Sequence, residues 1–297
     1  MLTSSYDRTC DYLISKFNKV AFFRFNVDQF SSYRITYNKN GFKINHLSGE
    51  IDSDTCQSIY IRKPSMEALD GIFDSRYHNY IHRESYSLIE GLSESFEGMV
   101  LTKLSVMRKA NNKVFQALLA SRSGFIIPDY AITNDEDLLN QYSIQKGIIK
   151  PLSLGEIEKG NTKEFVQTNL IREDIDVKNF EYSPVYLQSF IDKDFEIRVT
   201  VIDGVFFPVR IDSINLIDWR KPNNKVSYKI CEIPEDIKTK CLKYMSLCEM
   251  KFGCFDFLIK DGIWYFLEMN ANGQWAWLEM ETKLKISDEI INLLKKG

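Results

Sequence analysis

The sequence predicts a protein of mixed α/β and α+β class, built as two or three lobes. Three observations carry that expectation. Residues 1 to about 105 alternate short apolar strands with helix-spaced segments, as a small α/β domain does. Residues 196–211 read as two antiparallel strands around an Asp-Gly turn. Residues 252–279, FGCFDFLIKDGIWYFLEMNANGQWAWLE, read as a second hairpin whose apolar strands carry three polar side chains. A chain of 297 residues can fill several sizeable cores.

Composition excludes some functions. With 44% hydrophobic and 27% charged residues the chain is an ordinary globular one. A net charge of −3 offers no bulk attraction to nucleic acid or an anionic membrane. No apolar run approaches transmembrane length, and MLTSSYDRTCDYL lacks the layout of a signal peptide. Six cysteines without a C-x-x-C spacing read as reduced thiols, so a cytoplasmic location is expected. His78 and His82 could share a helix face, but they have no third ligand nearby and no zincin pattern between them. There is no G-x-S-x-G elbow, and aromatic residues are not interleaved with basic ones.

Along the first region, residues 7–18 have helical spacing, 20–25 and 58–61 read as buried strands, 33–44 as a hairpin and 75–97 as helix. Arg62-Lys63-Pro64 follows the second strand. In the middle region, about 106–187, Asn111 or Asn112 caps a helix that Gly124 stops. Phe125-Ile126-Ile127 is a strand, and Thr133 or Asn134 caps the next helix. Lys150 ends the apolar run Ile148-Ile149 and precedes the glycine-bearing loop 155–162, an arrangement suited to phosphate. That loop approaches a P-loop but carries Asn161 where lysine is required. In the last region, 184–191 is an apolar segment, 196–202 and 205–211 are strands, 235–251 is a helix ended by Gly253, and Ser287 caps a closing helix. Arg198 and Arg210 interrupt apolar strands and need anionic partners. Phosphate and carboxylate would serve, or internal pairs with Glu196 and Asp212.

In the hairpin, Glu268 and Asn270 are two residues apart and share a face. Turn length decides whether Asp256 joins them. A two-residue Asp261-Gly262 turn sets Asp256 and Glu268 on opposite faces. A three-residue Lys260-Asp261-Gly262 loop, with Gly262 left-handed, unites them and is the expectation here. Hard oxygen donors on one face suit Mg²⁺ completed by nucleotide phosphates, and until a metal binds the two carboxylates are expected to be unpaired.

Asp256 followed by Glu268-x-Asn270 resembles the metal-binding end of the ATP-grasp ligases. The continuation Asn270-Ala271-Asn272-Gly273-Gln274-Trp275 is similar to the graspetide synthetases, which cross-link ribosomal peptides through side-chain esters or amides. Ala271 stands where that family commonly has proline. Arg62-Lys63-Pro64 and Asp218-Trp219-Arg220 resemble further signatures of it. The resemblance implies an ATP-grasp fold, with ATP between two α+β lobes. It divides the chain into an N-terminal pre-ATP-grasp domain (1–105), a central lobe (106–187) and a C-terminal lobe with the metal site (188–297). It implies ATP binding by Lys113, Lys150, Gln188, Ser189, Phe190, Ile191 and Glu196, and Mg²⁺ on Asp256, Glu268 and Asn270. Lys150, Arg198 and Arg210 become catalytic cations. Arg198 and Arg220 would hold the acidic core of a precursor peptide, and Glu173 and Asp174 its leader. The implied activity is ATP-dependent macrocyclisation of that peptide, by a homodimer or higher homo-oligomer. The alternatives are an ATP-grasp ligase for another carboxylate and a silent nucleotide- or peptide-binding module.

Overall fold

The computed structural model describes residues 1–297 apart from 154, 160, 161, 167, 173, 174, 176 and 216–223, and only the backbone of 156–159 and 162–165. Strand β1 (Leu2–Thr3) leads to Asp7, whose carboxylate accepts from the Cys10 N–H at 3.0 Å and starts helix α1 (Arg8–Lys16). Of the expected strand at 20–25, only Phe25 belongs to β2 (Phe25–Asn26), parallel to β1. Residues 20–23 are apolar but, like Arg24 after them, lie along no strand. Strands β3 (Arg34–Asn38), β4 (Gly41–His46) and β5 (Gly49–Asp52) form an antiparallel meander. β6 (Ser58–Tyr60) runs parallel to β7 (Met99–Leu101), joined through helix α2 (Ser75–Ser95).

Helix α3 (Leu104–Ala110) precedes α4 (Lys113–Ser123), which Asn112 caps by accepting from the Phe115 N–H at 3.0 Å and Gly124 ends at φ +85°. The expected strand at 125–127 reduces to one bridge, Ile126 with Tyr265, because Phe125 turns into an aromatic cluster with Phe257 and Phe266. After β8 (Tyr130–Thr133), Asp135 caps α5 (Glu136–Ile144), one residue beyond the expected Asn134. β9 (Gly147–Lys150) is followed by β10 (Glu156–Lys159) and β11 (Thr162–Phe165), so the expected glycine-bearing loop is largely an antiparallel strand pair. With β12 (Asn169–Leu170) and β13 (Val185–Ser189) the order of the second sheet is β12-β9-β13-β8. It has its own small core of Leu139, Tyr142, Ile171 and Leu187.

The largest sheet, β16-β15-β14-β17-β18, is antiparallel throughout. Its strands are β14 (Phe195–Ile202), β15 (Val205–Ser213), β16 (Val226–Ile230), β17 (Phe252–Lys260) and β18 (Ile263–Asn270). Helix α6 (Glu235–Leu247) stops before Glu249, at φ +56°, and not at Gly253. Gly253 lies inside β17, where a Cβ would stand 2.9 Å from the Met269 sulfur. One face of this sheet shares a core with α3, α4, α6 and residues of the first 105. The chain closes with α7 (Ala276–Thr282) and α8 (Ile286–Leu294). Among the described residues no helix is long and apolar enough to cross a membrane.

Ser287 does not cap α8. Its N–H and hydroxyl donate instead to Glu279, each at 2.6 Å. Glu279 also accepts from Tyr12 at 2.6 Å and Lys16 at 2.7 Å, tying α1, α7 and α8 together. Burial pushes the Glu279 pKa up, but Lys16 and the hydroxyl donors pull harder, and it ends below the ordinary value of 4.5. A carboxyl depressed by folding stabilises above its unfolded pKa and loses that contribution as pH falls through the folded one. Glu279→Gln is therefore expected to lose about 2–3 kcal/mol at pH 7 and less at pH 3. Urea unfolding at the two pH values measures the difference.

Candidate active site

The two residues of the hairpin turn, Asp261 (φ +50°) and Gly262 (φ +76°), are both left-handed, and Lys260 pairs with Ile263. This is the two-residue turn, not the expected three-residue loop. Asp-Gly satisfies its backbone demand, and its twist matches the strands. Asp256 and Glu268 nevertheless share a face, because a β-bulge intervenes. Phe257 pairs with Phe266 but Asp256 pairs with Glu268, leaving Leu267 as the extra residue. Asn270 sits two positions on, its amide nitrogen 3.1 Å from Asp256 and 3.2 Å from Glu268.

Neither carboxylate is unpaired. Register sets Arg198 of β14 directly across from Asp256, and its Nη1 donates to both carboxylate oxygens at 2.7 and 2.8 Å. Both residues are buried, with 5% and 4% of their surface exposed. Burial opposes the guanidinium charge, but Asp256 outweighs it and raises the pKa further. Glu196, expected as a partner for Arg198, is buried against Lys193. At Glu268, Lys113 from the first turn of α4 approaches to 3.3 Å.

Across from the hairpin, Lys150 at the end of β9 donates to Gln188 at 2.7 Å and lies 5.8 Å from the Tyr186 ring centre. Lys113, Lys150, Tyr186 and Glu268 line one narrow cleft between the second sheet and the largest one. In the segment after Gln188, the Ser189 N–H is bonded to the Asp129 carbonyl at 2.8 Å and the Phe190 N–H to that of Lys146 at 3.2 Å. Both N–H groups are thus engaged within the protein. Ile191 follows, half-buried.

Arg210 does not join this group. It pairs in register with Ile197, while Arg198 pairs with Val209, so the two arginines point to opposite faces of the sheet. Arg210 stacks on Phe195 at 3.7 Å and binds Asp212 at 2.6–3.1 Å. Its guanidinium is thus paired internally, on the face opposite Asp256. Arg220, Glu173 and Asp174 lie outside the described residues.

One contributor was only half legible. Arg62 is fully buried and donates to Asn272 Oδ1 at 2.6 Å, the Gly273 carbonyl at 3.2 Å and Gln274 Oε1 at 2.8 Å. The signal was an arginine behind an apolar strand, which alone does not name its partner. Lys193 and the Arg198–Asp256 pairing left no mark in the linear order.

Two carboxylates and an amide are hard donors that fit Mg²⁺, with the Asn270 amide turned to present its oxygen. Among the described residues no three or more His, Cys, Asp or Glu are grouped so that they could hold a metal ion by themselves. The set is therefore short of a full cage, and it suits a cation whose shell phosphate oxygens complete. A cavity of about 310 Å³ near Phe22, Phe42 and Leu92 lies away from all these residues. Lys150→Ala is expected to weaken nucleotide binding about tenfold or more, the worth of one charge-assisted contact. Lys150→Arg should rescue it poorly, since the planar fork does not replace a compact ammonium. Fluorescence titration with a labelled ADP reads both.

No protein-family model matches the chain, and no curated protein does. Solved structures do. The macrocyclase MdnC of Microcystis aeruginosa MRC, bound to the precursor peptide MdnA, superposes with a TM-score of 0.88 at 22% identity. It covers 100% of this chain and 98% of its own. A RiPP-associated ATP-grasp ligase of Chryseobacterium gregarium, in complex with ADP, a leader and a core peptide, gives 0.88 at 23% over 99% and 95%. The macrocyclase MdnB of Microcystis aeruginosa MRC gives 0.83 at 28% identity over 100% and 98%.

Proposed function

We propose that this chain, whose fold matches solved ATP-grasp ligases over its full length, is a ligase of the graspetide-synthetase family that closes rings in a precursor peptide at the expense of ATP. The observation that carries the reading is the convergence of Asp256, Glu268 and Asn270 on one sheet face, with Lys113 and Lys150 on the adjoining cleft. ATP and Mg²⁺ are the cofactors this set accommodates. Bound Mg²⁺ would neutralise charge developing on the phosphates. Asp256, Glu268 and Asn270 would hold it, Lys113 and Lys150 would hold the phosphates, and Gln188 orients Lys150.

In the first step, an oxygen of a peptide Glu or Asp carboxylate attacks the γ-phosphorus, and the bond to the β,γ-bridging oxygen breaks. ADP leaves and an acyl phosphate remains. A Ser or Thr hydroxyl, or a Lys amine, then attacks the acyl carbon, loses its proton and expels phosphate. Each ring thus removes one water from the peptide. The cleft's cations stabilise the phosphoryl charge and need supply no nucleophile. Arg220, Glu173 and Asp174 remain proposed peptide contacts, the domain boundaries at 105 and 187 proposed divisions, and a homo-oligomer the proposed assembly.

Incubating the protein with ATP, Mg²⁺ and an acidic candidate peptide, with mass spectrometry as readout, tests this. Loss of one water per ring supports it. A mass gain would favour ligation of a separate amino acid, and ADP-free unchanged peptide would leave a binding module.

A further inference from the structure

Arg62 stands outside the cleft, yet it is the most deeply buried charge in the first 105 residues, at 0% exposure. Its own backbone is anchored. The N–H donates to the Leu2 carbonyl at 2.9 Å, and the Thr3 hydroxyl donates to its carbonyl at 2.8 Å. Asp7 lies 3.8 Å from Nε. From this fixed base the guanidinium spans Asn272, Gly273 and Gln274, the residues directly after β18. Gly273 admits no side chain, since a Cβ would stand 2.5 Å from Cys254 and 2.9 Å from Arg198 Nη2. The same turn presents the Gln274 carbonyl to Arg198 Nη2 at 3.3 Å. Arg198 in turn holds Asp256 through Nη1. A continuous chain of polar contacts therefore runs from Arg62 through the 272–274 turn and Arg198 to Asp256.

We propose that Arg62 is a positioning residue: it clamps the Asn272–Gly273–Gln274 turn, and through Arg198 it sets the orientation of Asp256 toward a divalent cation. The proposal rests on the nucleotide-and-metal reading of the site. Groups that orient a metal's ligands typically govern its affinity by 10–100-fold without touching it.

The test uses the full chain, a fluorescent ADP analogue and a Mg²⁺ titration. Nucleotide affinity in EDTA should be the same in wild type and Arg62→Gln. The Mg²⁺ concentration that half-saturates the nucleotide-bound protein should rise about tenfold in Arg62→Gln. Arg62→Lys should recover only part, because one ammonium cannot reach Asn272 and Gln274 as the fork does. A merely structural role would lower the melting temperature and change affinity equally with and without Mg²⁺. A folded Arg62→Gln with wild-type Mg²⁺ dependence overturns the proposal. If Arg62→Gln does not fold, Asn272→Ala combined with Gln274→Met removes two of the contacts from the other side, and an unchanged Mg²⁺ midpoint there overturns it equally. A wild-type protein whose nucleotide affinity ignores Mg²⁺ overturns the site reading itself, and this proposal with it.

Discussion

Glu268→Ala will keep its fold and lose ADP formation. Glu268 is the more open of the two carboxylates, its side chain 25% exposed. It contacts Lys113 and Asn270. An ion pair this accessible contributes about 1 kcal/mol or less, so thermal unfolding should barely move. Phosphoryl transfer is another matter. Losing a ligand that fixes the cation beside the phosphates removes charge stabilisation worth about a thousandfold in rate. A coupled assay for ADP with saturating peptide measures it, with circular dichroism as the control. Turnover at the wild-type rate would remove Glu268 from the metal site.

Asp256→Ala will lose both activity and stability. Truncation leaves the Arg198 guanidinium buried with no carboxylate, and its Nε already lacks a partner. Breaking a buried pair from one side costs about 3–5 kcal/mol. The expected result is a large fall in the urea midpoint at unchanged slope. Arg198→Met combined with Asp256→Leu should regain much of that stability, because no charge is left stranded, while activity stays absent. A single Asp256→Ala variant as stable as the wild type would mean that the pair contributes nothing to folding. The contrast between Glu268 and Asp256 follows from depth, not from any difference in proposed chemistry.

The periodicity of β17 and β18 and the spacing of Asp256, Glu268 and Asn270 were legible in the chain, because strand alternation and an Asp-Gly turn are local signals. The bulge was not. A requirement that Asp256 and Glu268 share a face was met by a longer turn on paper and by an extra residue at Leu267 in the structure. Local propensity chose the turn, and packing of Phe257 and Phe266 into the aromatic core absorbed the offset. Arg198 and Arg210 looked equivalent in sequence, each a cation in an apolar strand. Their even separation of twelve positions suggests one face, but the Asp203-Gly204 turn between them sets a register that opposes them. Glu196, Lys193, Arg62 and Glu279 show the same limit. Burial of a charge can be inferred from its neighbours, whereas its partner is fixed by contacts up to 267 residues away.

The contact between Lys113 and Glu268 makes the lysine a resident counterion. It occupies, in the protein alone, the carboxylate that a divalent cation would claim. Free Mg²⁺ must therefore compete with a tethered ammonium at high local concentration, while a nucleotide's phosphates offer that ammonium another anion. The two ligands are consequently coupled heterotropically: each should bind more tightly once the other is present, by the same factor in both directions. On the proposed reading of the site, exchange of one counterion for another would make metal and nucleotide enter the cleft as a unit.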